Sequence, residues 1–295
     1  MKTYWVLKVE LPNPENQKVI NEYLLSLKLA NQSFHTINNL RYFYQKFFKE
    51  QNESYADLHS DLIQEWFIKH DTGRTKNTIR FHLCALSTFY AFCVEEGYLV
   101  KSPIKSRWFP RNSKPIPKYL NKEEIAITRR QAEHFTLRDR AIVEFFVTSG
   151  CRVGEAHRLN KTDLDFENRT ARVMGKGAKI RQVHFTEKAG LLLERYLESR
   201  TDSHPALFVS SKANVTRLST NWIGKRMNML GKTAELSGSL HPHRFRHTFA
   251  TELLAKGADL MFIADELGHS DLRTTQIYAR LPKAEIISMY RKYMG

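Results

Sequence analysis

Arg152, Lys176, His243, Arg246, His269 and Tyr278 carry most of the chemistry this chain can offer. The two arginines present planar, permanently charged forks suited to the non-bridging oxygens of a phosphodiester. A pair of them can hold the added charge of a pentavalent transition state without a metal. The histidines and the lysine can move protons. A tyrosine is a poor nucleophile at its ordinary pKa of about 10, so a neighbouring base must help remove its proton as it attacks. An alkoxide leaving group needs a proton in return.

Taken singly, each residue has an ordinary explanation. Arg152 can be a helix-entry ion pair with Glu155, Lys176 a solvated hairpin charge, His243 a cap, and Tyr278 a half-buried surface aromatic. The spacing of His241, His243 and His247 raises a metal site, but no cysteine or acidic cluster accompanies it and Pro242 restricts the first pair. No metal and no cofactor is therefore expected.

Residues 240–278 must position four of the six. The pattern predicts helices over 243–255, 259–267 and 271–280, stopped by Gly257, Gly268 and Pro282. In the first, Phe245, Phe249 and Leu253 form an apolar stripe, with His243 and Arg246 on a neighbouring face. An arginine at the edge of such a stripe needs an anion. Upstream, an apolar helix over 137–148 ends at Gly150, and Arg152 stands at the next helical start with Glu155 one turn on. The segments LDF, ARVM and IRQVHF alternate as strands do. The last two are joined by Gly175-Lys176-Gly177-Ala178-Lys179, a tight hairpin with Lys176 at its tip. Helices over 122–132, opened by an Asn121–Glu124 capping pair, 187–198 and 219–233 complete this part.

The first third reads differently. A short arm, 1–13, is followed by four helices: one from Glu15 through Leu27, one over 34–49, one around Leu62 and Trp66 opened by an Asp61–Gln64 capping box, and one over 75–96 stopped by Gly97. Between Lys101 and Asn121 lie four prolines and six basic residues with no acid, which reads as an extended spacer. Its Lys105, Arg107, Arg111 and Lys114 are placed to follow a phosphate backbone. The expected fold is mainly α with a small β-sheet (α+β). It comprises the arm 1–13, a four-helix unit over 14–100, a basic linker over 101–120, and a second domain over 121–295 with a tail helix at 282–295.

Composition narrows the partner. The 295 residues hold 46 Lys and Arg against 31 Asp and Glu, net +15. Residues 1–112 hold 15 basic and 11 acidic side chains, residues 113–295 hold 31 and 20, so the excess of +11 in the latter dominates. A basic surface of this kind gains affinity for a polyanion by releasing counterions. Three cysteines argue against a disulfide framework, and Cys84 and Cys93 would face opposite sides of one helix. The start, MKTYWVLKVELPNPE, has no continuous apolar core, and the run AIVEFFV is broken by Glu144. A cytoplasmic protein with no membrane partner is expected.

Five ordered motifs resemble the tyrosine recombinase family, of the phage-integrase and Xer type. They are T-S-G-C-R-V-G-E-A around Arg152, G-K-G-A-K around Lys176, H-P-H-R-F-R-H-T-F-A-T around His243 and Arg246, L-G-H-S at His269, and T-T-Q-I-Y ending at Tyr278. Gly154, where the family usually shows serine, and Phe245, where it usually shows leucine, depart from the pattern outside the chemical set. The four-helix unit resembles that family's SAM-like core-binding domain. The resemblance implies that Tyr278 attacks the scissile phosphate to form a 3′-phosphotyrosyl link, and that Arg152 and Arg246 clamp the phosphate while His269 hydrogen-bonds an oxygen. It further implies His243 as general base, Lys176 as general acid and Glu155 as the orienter of Arg152. The implied partner is double-stranded DNA with a specific site, gripped as by a C-shaped clamp. Strand exchange would pass through a Holliday junction in a homotetramer joined by tail exchange, with the need for an accessory protein left open. Base contacts are expected from the second and fourth helices and from the region of Arg217 to Arg226. Two other readings remain: a helix-turn-helix regulator built on 262–280, which would need neither Arg152 nor Lys176, and a type IB topoisomerase-like nicking and closing enzyme.

Overall fold

The computed structural model describes residues 3–111, 118–175, 179–211, 213–269 and 274–275. Lys114, Lys176, Tyr278, the tail 282–295 and all of the expected 271–280 helix except Thr274 and Thr275 lie outside them. The chain divides into two compact units, Met1–Ser113 and Lys114–Gly295.

The first unit is four helices, α1 Pro14–Leu29, α2 Phe34–Phe48, α3 Ser60–Asp71 and α4 Lys76–Glu95. Asn13, Ser33 and Thr75 cap α1, α2 and α4 with their side chains. The capping box expected at Asp61 is absent. The helix begins two residues earlier than that box requires, at Ser60 with His59 at the cap position and no side-chain cap bond, and Gln64 instead donates to Asp61 within the first turn. An aromatic core holds the unit together: the Phe89 ring meets Tyr23, Tyr44 and Phe48 at centroid distances of 5.8, 5.6 and 5.6 Å. The first residues are packed as well. Leu7 and Leu11 are buried, their amides donate to Asn21 and Gln17, and the buried Arg41 donates to the Tyr4 carbonyl. Residues 101–111 are not simply extended, because they make a 3-10 turn at Ser106–Trp108 and lay Ile104 and Trp108 on the same core. Lys105, Arg107 and Arg111 remain exposed.

The second unit contains α5 Lys122–Ala132, α6 Leu137–Ser149, α7 Val153–Arg158, strands β1 Leu164–Asp165, β2 Thr170–Met174 and β3 Ile180–His184, then α8 Glu187–Glu198, α9 Thr220–Thr233, α10 Pro242–Ala255 and α11 Leu260–Leu267. The strands form one antiparallel sheet in the order β1-β2-β3, with Ala171 opposite Val183 and Val173 opposite Arg181. The Asn121–Glu124 capping box opens α5 as its residues require. Helix α6 is the centre of the core, packed between α8 and α10, with Ala141, Ile142 and Phe145 fully buried. Glu144, the charge that interrupts the α6 apolar run, is also buried; Arg129 meets it through two bonds of 2.9 and 2.6 Å. No helix among the described residues is long and apolar enough to cross a membrane.

The stripe expected on α10 is displaced. Phe245 enters the main core and stacks on Phe146, whereas Phe249 and Leu253 are only half-buried. Ala250 and Leu254 pack instead on Ile263 and Leu267 of α11. Arg246 is therefore inside the protein rather than at a stripe's edge.

Candidate active site

Arg152 occupies the cap position of α7, where Glu155 holds it from two sides. Its Nη1 donates to Glu155 Oε1 at 2.8 Å and its backbone amide to Oε2 at 2.8 Å. The arginine side chain is 33% exposed while the carboxylate is 2% exposed. A second arginine, Arg181 of β3, donates through Nη2 to the same Glu155 Oε2 at 3.1 Å. Burial pushes the Glu155 carboxyl up, but the Arg152 amide and the Arg181 and Arg152 guanidiniums together hold it below its ordinary value.

Arg246 is 3% exposed and is held from both ends: Nη1 donates to the Gly150 carbonyl at 2.9 Å and Nη2 to the Leu267 carbonyl at 2.6 Å. Gly150 caps α6 in the left-handed region, φ 58°, and a Cβ there would lie 2.4 Å from the Phe249 ring. Glycine is thus required by both backbone and space.

The end of α11 gathers these groups. Arg181 Nε donates to the Glu266 carbonyl at 3.3 Å, Arg246 Nη2 to Leu267, and Arg152 Nη2 to the Gly268 carbonyl at 3.3 Å. Three arginines from three separate elements thus take three successive carbonyls at the negative end of one helix. Gly268 turns the chain in the left-handed region, φ 61°, and a Cβ there would meet Arg181 Nε at 2.7 Å. The next residue is His269, whose amide donates to the Ala264 carbonyl at 2.9 Å and whose Nδ1 lies 2.8 Å from the buried Thr275 hydroxyl. An open cavity of about 550 Å³ lies here, lined by Arg152, Glu155, Lys179, Arg181, Gly268 and His269.

His269 and the histidines of α10 are starved of protons. Burial, then Arg246, Arg152 and Arg181, lower His269 to about 4. Burial, then His243 and Arg246, lower His247 to about 4. His243 keeps an exposed edge, yet the protein packed about it and then His241, Arg246 and Arg152 depress it below the ordinary histidine value. His241 caps α10 by accepting from the Arg244 amide, and no three metal-ligating side chains come together among the described residues.

A pH dependence follows from the two strongest shifts. In the unfolded chain each histidine titrates near pH 6.5. In the folded chain His247 and His269 do so at about 4, so unfolding takes up protons between these values. Stability is therefore full above pH 6.5 and falls as pH drops toward 4. The melting temperature is expected to decline across that window, and the pair His247→Gln and His269→Gln to flatten the decline; an unchanged slope in the double variant would refute the assignment. Glu155 adds its own loss only as pH falls below its ordinary 4.5.

Sequence reasoning missed Arg181. Period-two alternation puts it on the face of β3 that carries the buried Val183, and an arginine there is a signal that the strand contributes to a charged site. Arg217 and Arg226, expected near base edges, are engaged within the unit. Arg217 donates to the His157 and Leu159 carbonyls and to Asn160, and Arg226 to Asp139. Lys179 N-terminal to β3 closes the hairpin through its carbonyl and Gly175, while the tip that bears Lys176 lies outside the described residues.

A mainly helical domain with Arg152, Arg181 and His269 lining one open cavity, and the buried Arg246 held at the same helix end, has the charge and donors to hold a phosphate. Residues 118–285 match the phage integrase family. The chain is 37% identical over 224 residues to the tyrosine recombinase XerC of Mannheimia succiniciproducens, covering 74% of this chain and 75% of that protein. It is 31% identical over 287 residues to the XerC of Shewanella sp. strain ANA-3, covering 94% and 95%. In fold it is similar to the XerH site-specific recombinase crystallised on its difH substrate, with a TM-score of 0.71, 22% identity, and coverage of 98% of this chain and 90% of that one. The chain belongs to the phage integrase family and is a tyrosine recombinase, a site-specific DNA strand-transferring enzyme.

Proposed function

We propose that Tyr278 attacks the scissile phosphate of a specific duplex site, forming a 3′-phosphotyrosyl link and freeing a 5′-hydroxyl. Arg152 and Arg246 hold the non-bridging oxygens as the charge develops. Glu155 orients Arg152. His243, neutral at pH 7 because its pKa is depressed, takes the tyrosine proton, and Lys176 returns one to the leaving 5′-oxygen. A Thr275 hydroxyl that donates to Nδ1, 2.8 Å away, leaves the neutral His269 ring with its proton on Nε2, the form that can donate to a phosphate oxygen. The bond energy stays in the phosphotyrosine, so a 5′-hydroxyl from a second duplex reverses the step without ATP or metal.

The observation that carries this reading is the gathering of Arg152, Arg181 and Arg246 at the end of α11, directly before His269. Lys105, Arg107, Arg111 and Lys114 follow the DNA backbone, and the four-helix unit is the core-binding domain. Two sequential exchanges through a Holliday junction, in a tetramer joined by the tail 282–295, integrate, excise or resolve a mobile element or replicon dimer in the cytoplasm.

The test is covalent capture. The protein is incubated with nicked fragments of its source DNA, stopped with SDS, and the attached peptide identified by mass. Recovery of specific fragments joined through a 3′-phosphate to the peptide containing Tyr278 supports the proposal. Native binding with no SDS-stable adduct from nicked DNA turns the reading to a regulator, and relaxation of any supercoiled plasmid by the monomer turns it to a topoisomerase-like enzyme.

A further inference from the structure

Glu155 is shared. One oxygen serves the Arg152 guanidinium, and the other accepts from both the Arg152 amide and Arg181. Arg181 in turn reaches across to the Glu266 carbonyl in the last turn of α11. Its own position is set by the sheet, since it stands opposite Val173 in the β2–β3 ladder, two residues from the fully buried Val183. The side chain is 15% exposed, and its Nη1 is buried with no hydrogen-bond partner among the described residues. Leaving a charged donor unsatisfied is costly, so this arginine is poorly explained as a contributor to stability alone. What its two satisfied nitrogens do is tie the carboxylate that orients Arg152 to the helix end from which His269 emerges.

We propose that Arg181 is a positioning residue for strand cleavage, holding Glu155 and the last turn of α11 against each other so that Arg152 and His269 address one phosphate. This rests on the recombinase reading above. It acts through geometry: Gly268 lies against the Arg181 side chain, where a Cβ would come within 2.7 Å of Nε, so the spacing between β3 and the helix end is set by direct contact. A misplacement of about 1 Å at such a centre can lower a rate on the order of 10²-fold.

Arg181→Met and Arg181→Lys test it on a nicked duplex. Duplex affinity is measured separately from the single-turnover cleavage rate at saturating protein. Arg181→Met is expected to bind within about 3-fold of the parent and to cleave on the order of 10²-fold more slowly, with Arg181→Lys recovering part of the rate because it retains a charge and a donor. Combined with Glu155→Gln it should lose little more than the single variant, because both act through one contact. Amide exchange without DNA gives an independent readout: Gly268 and His269 should exchange faster in Arg181→Met while the β2–β3 ladder stays protected. Cleavage at the parental rate, a loss confined to duplex affinity, or unchanged exchange at Gly268 and His269 overturns the proposal. If Arg181→Met does not fold, the rate and exchange of Arg181→Lys decide by the same criteria. A parent protein that cleaves no nicked duplex overturns the recombinase reading instead, and the exchange measurement still decides whether Arg181 couples the two elements.

Discussion

Arg246→Lys is expected to abolish practical strand cleavage, slowing it on the order of 10³-fold or more. The guanidinium is held in the interior by the Gly150 and Leu267 carbonyls, which fix the plane of its fork. A lysine ammonium is a single point charge on a flexible stem and cannot reach both carbonyls while presenting a planar pair of donors to a phosphate. The same substitution strips bonds from two backbone acceptors, for a loss of roughly 2–4 kcal/mol of stability. Arg246→Met separates these effects, since it removes the charge as well. Rates are read in single turnover on a nicked duplex at saturating protein, below the melting transition of each variant. A folded Arg246→Lys protein that cleaves within tenfold of the parent would show that the buried arginine serves only to join α6, α10 and α11.

Tyr278→Phe is expected to remove covalent capture altogether while leaving duplex affinity unchanged. The substitution deletes one oxygen atom and keeps the ring, so an apolar role for the side chain would survive it and a nucleophilic role would not. The effect has no partial form, because neither the guanidiniums of Arg152 and Arg246 nor the Glu155 carboxylate can make an SDS-stable phosphodiester link. Gel separation of labelled nicked duplex after SDS, with affinity measured on the same samples, checks both halves. An adduct that persists in Tyr278→Phe and maps to another peptide would move the nucleophile elsewhere in the chain.

Much of the scaffold around these residues was legible in the sequence because its determinants are local. The Asn121–Glu124 box, the Gly150 and Gly268 stops and the 187–198 helix are all set by hydrogen bonds and periodicities within a few residues. The same logic misassigned the start of α3, where Asp61 and Gln64 have the right spacing but the cap position falls at His59. It also misplaced the α10 stripe. Helical periodicity identifies the apolar faces, but whether Phe245 or Phe249 goes inward depends on α6 and α11, which the local pattern does not contain.

By itself the sequence determined which residue types are available for chemistry, their order, and the turns and caps that bring each to the end of an element. It also determined the basic balance that suits a polyanion. Only the tertiary structure decided that Arg152, Arg181 and Arg246 meet at three successive carbonyls of one helix end, and that Arg181 belongs with them at all. It also decided that Arg246 lies in the interior and that His247 and His269 are neutral at pH 7. The physical reason is range. Capping and amphipathicity act over one or two turns, whereas Arg152 and Gly268, or Arg246 and Gly150, are separated by 116 and 96 residues and come together only when α6, α10, α11 and β3 pack around a shared core. Charge, burial and pKa are properties of that assembly.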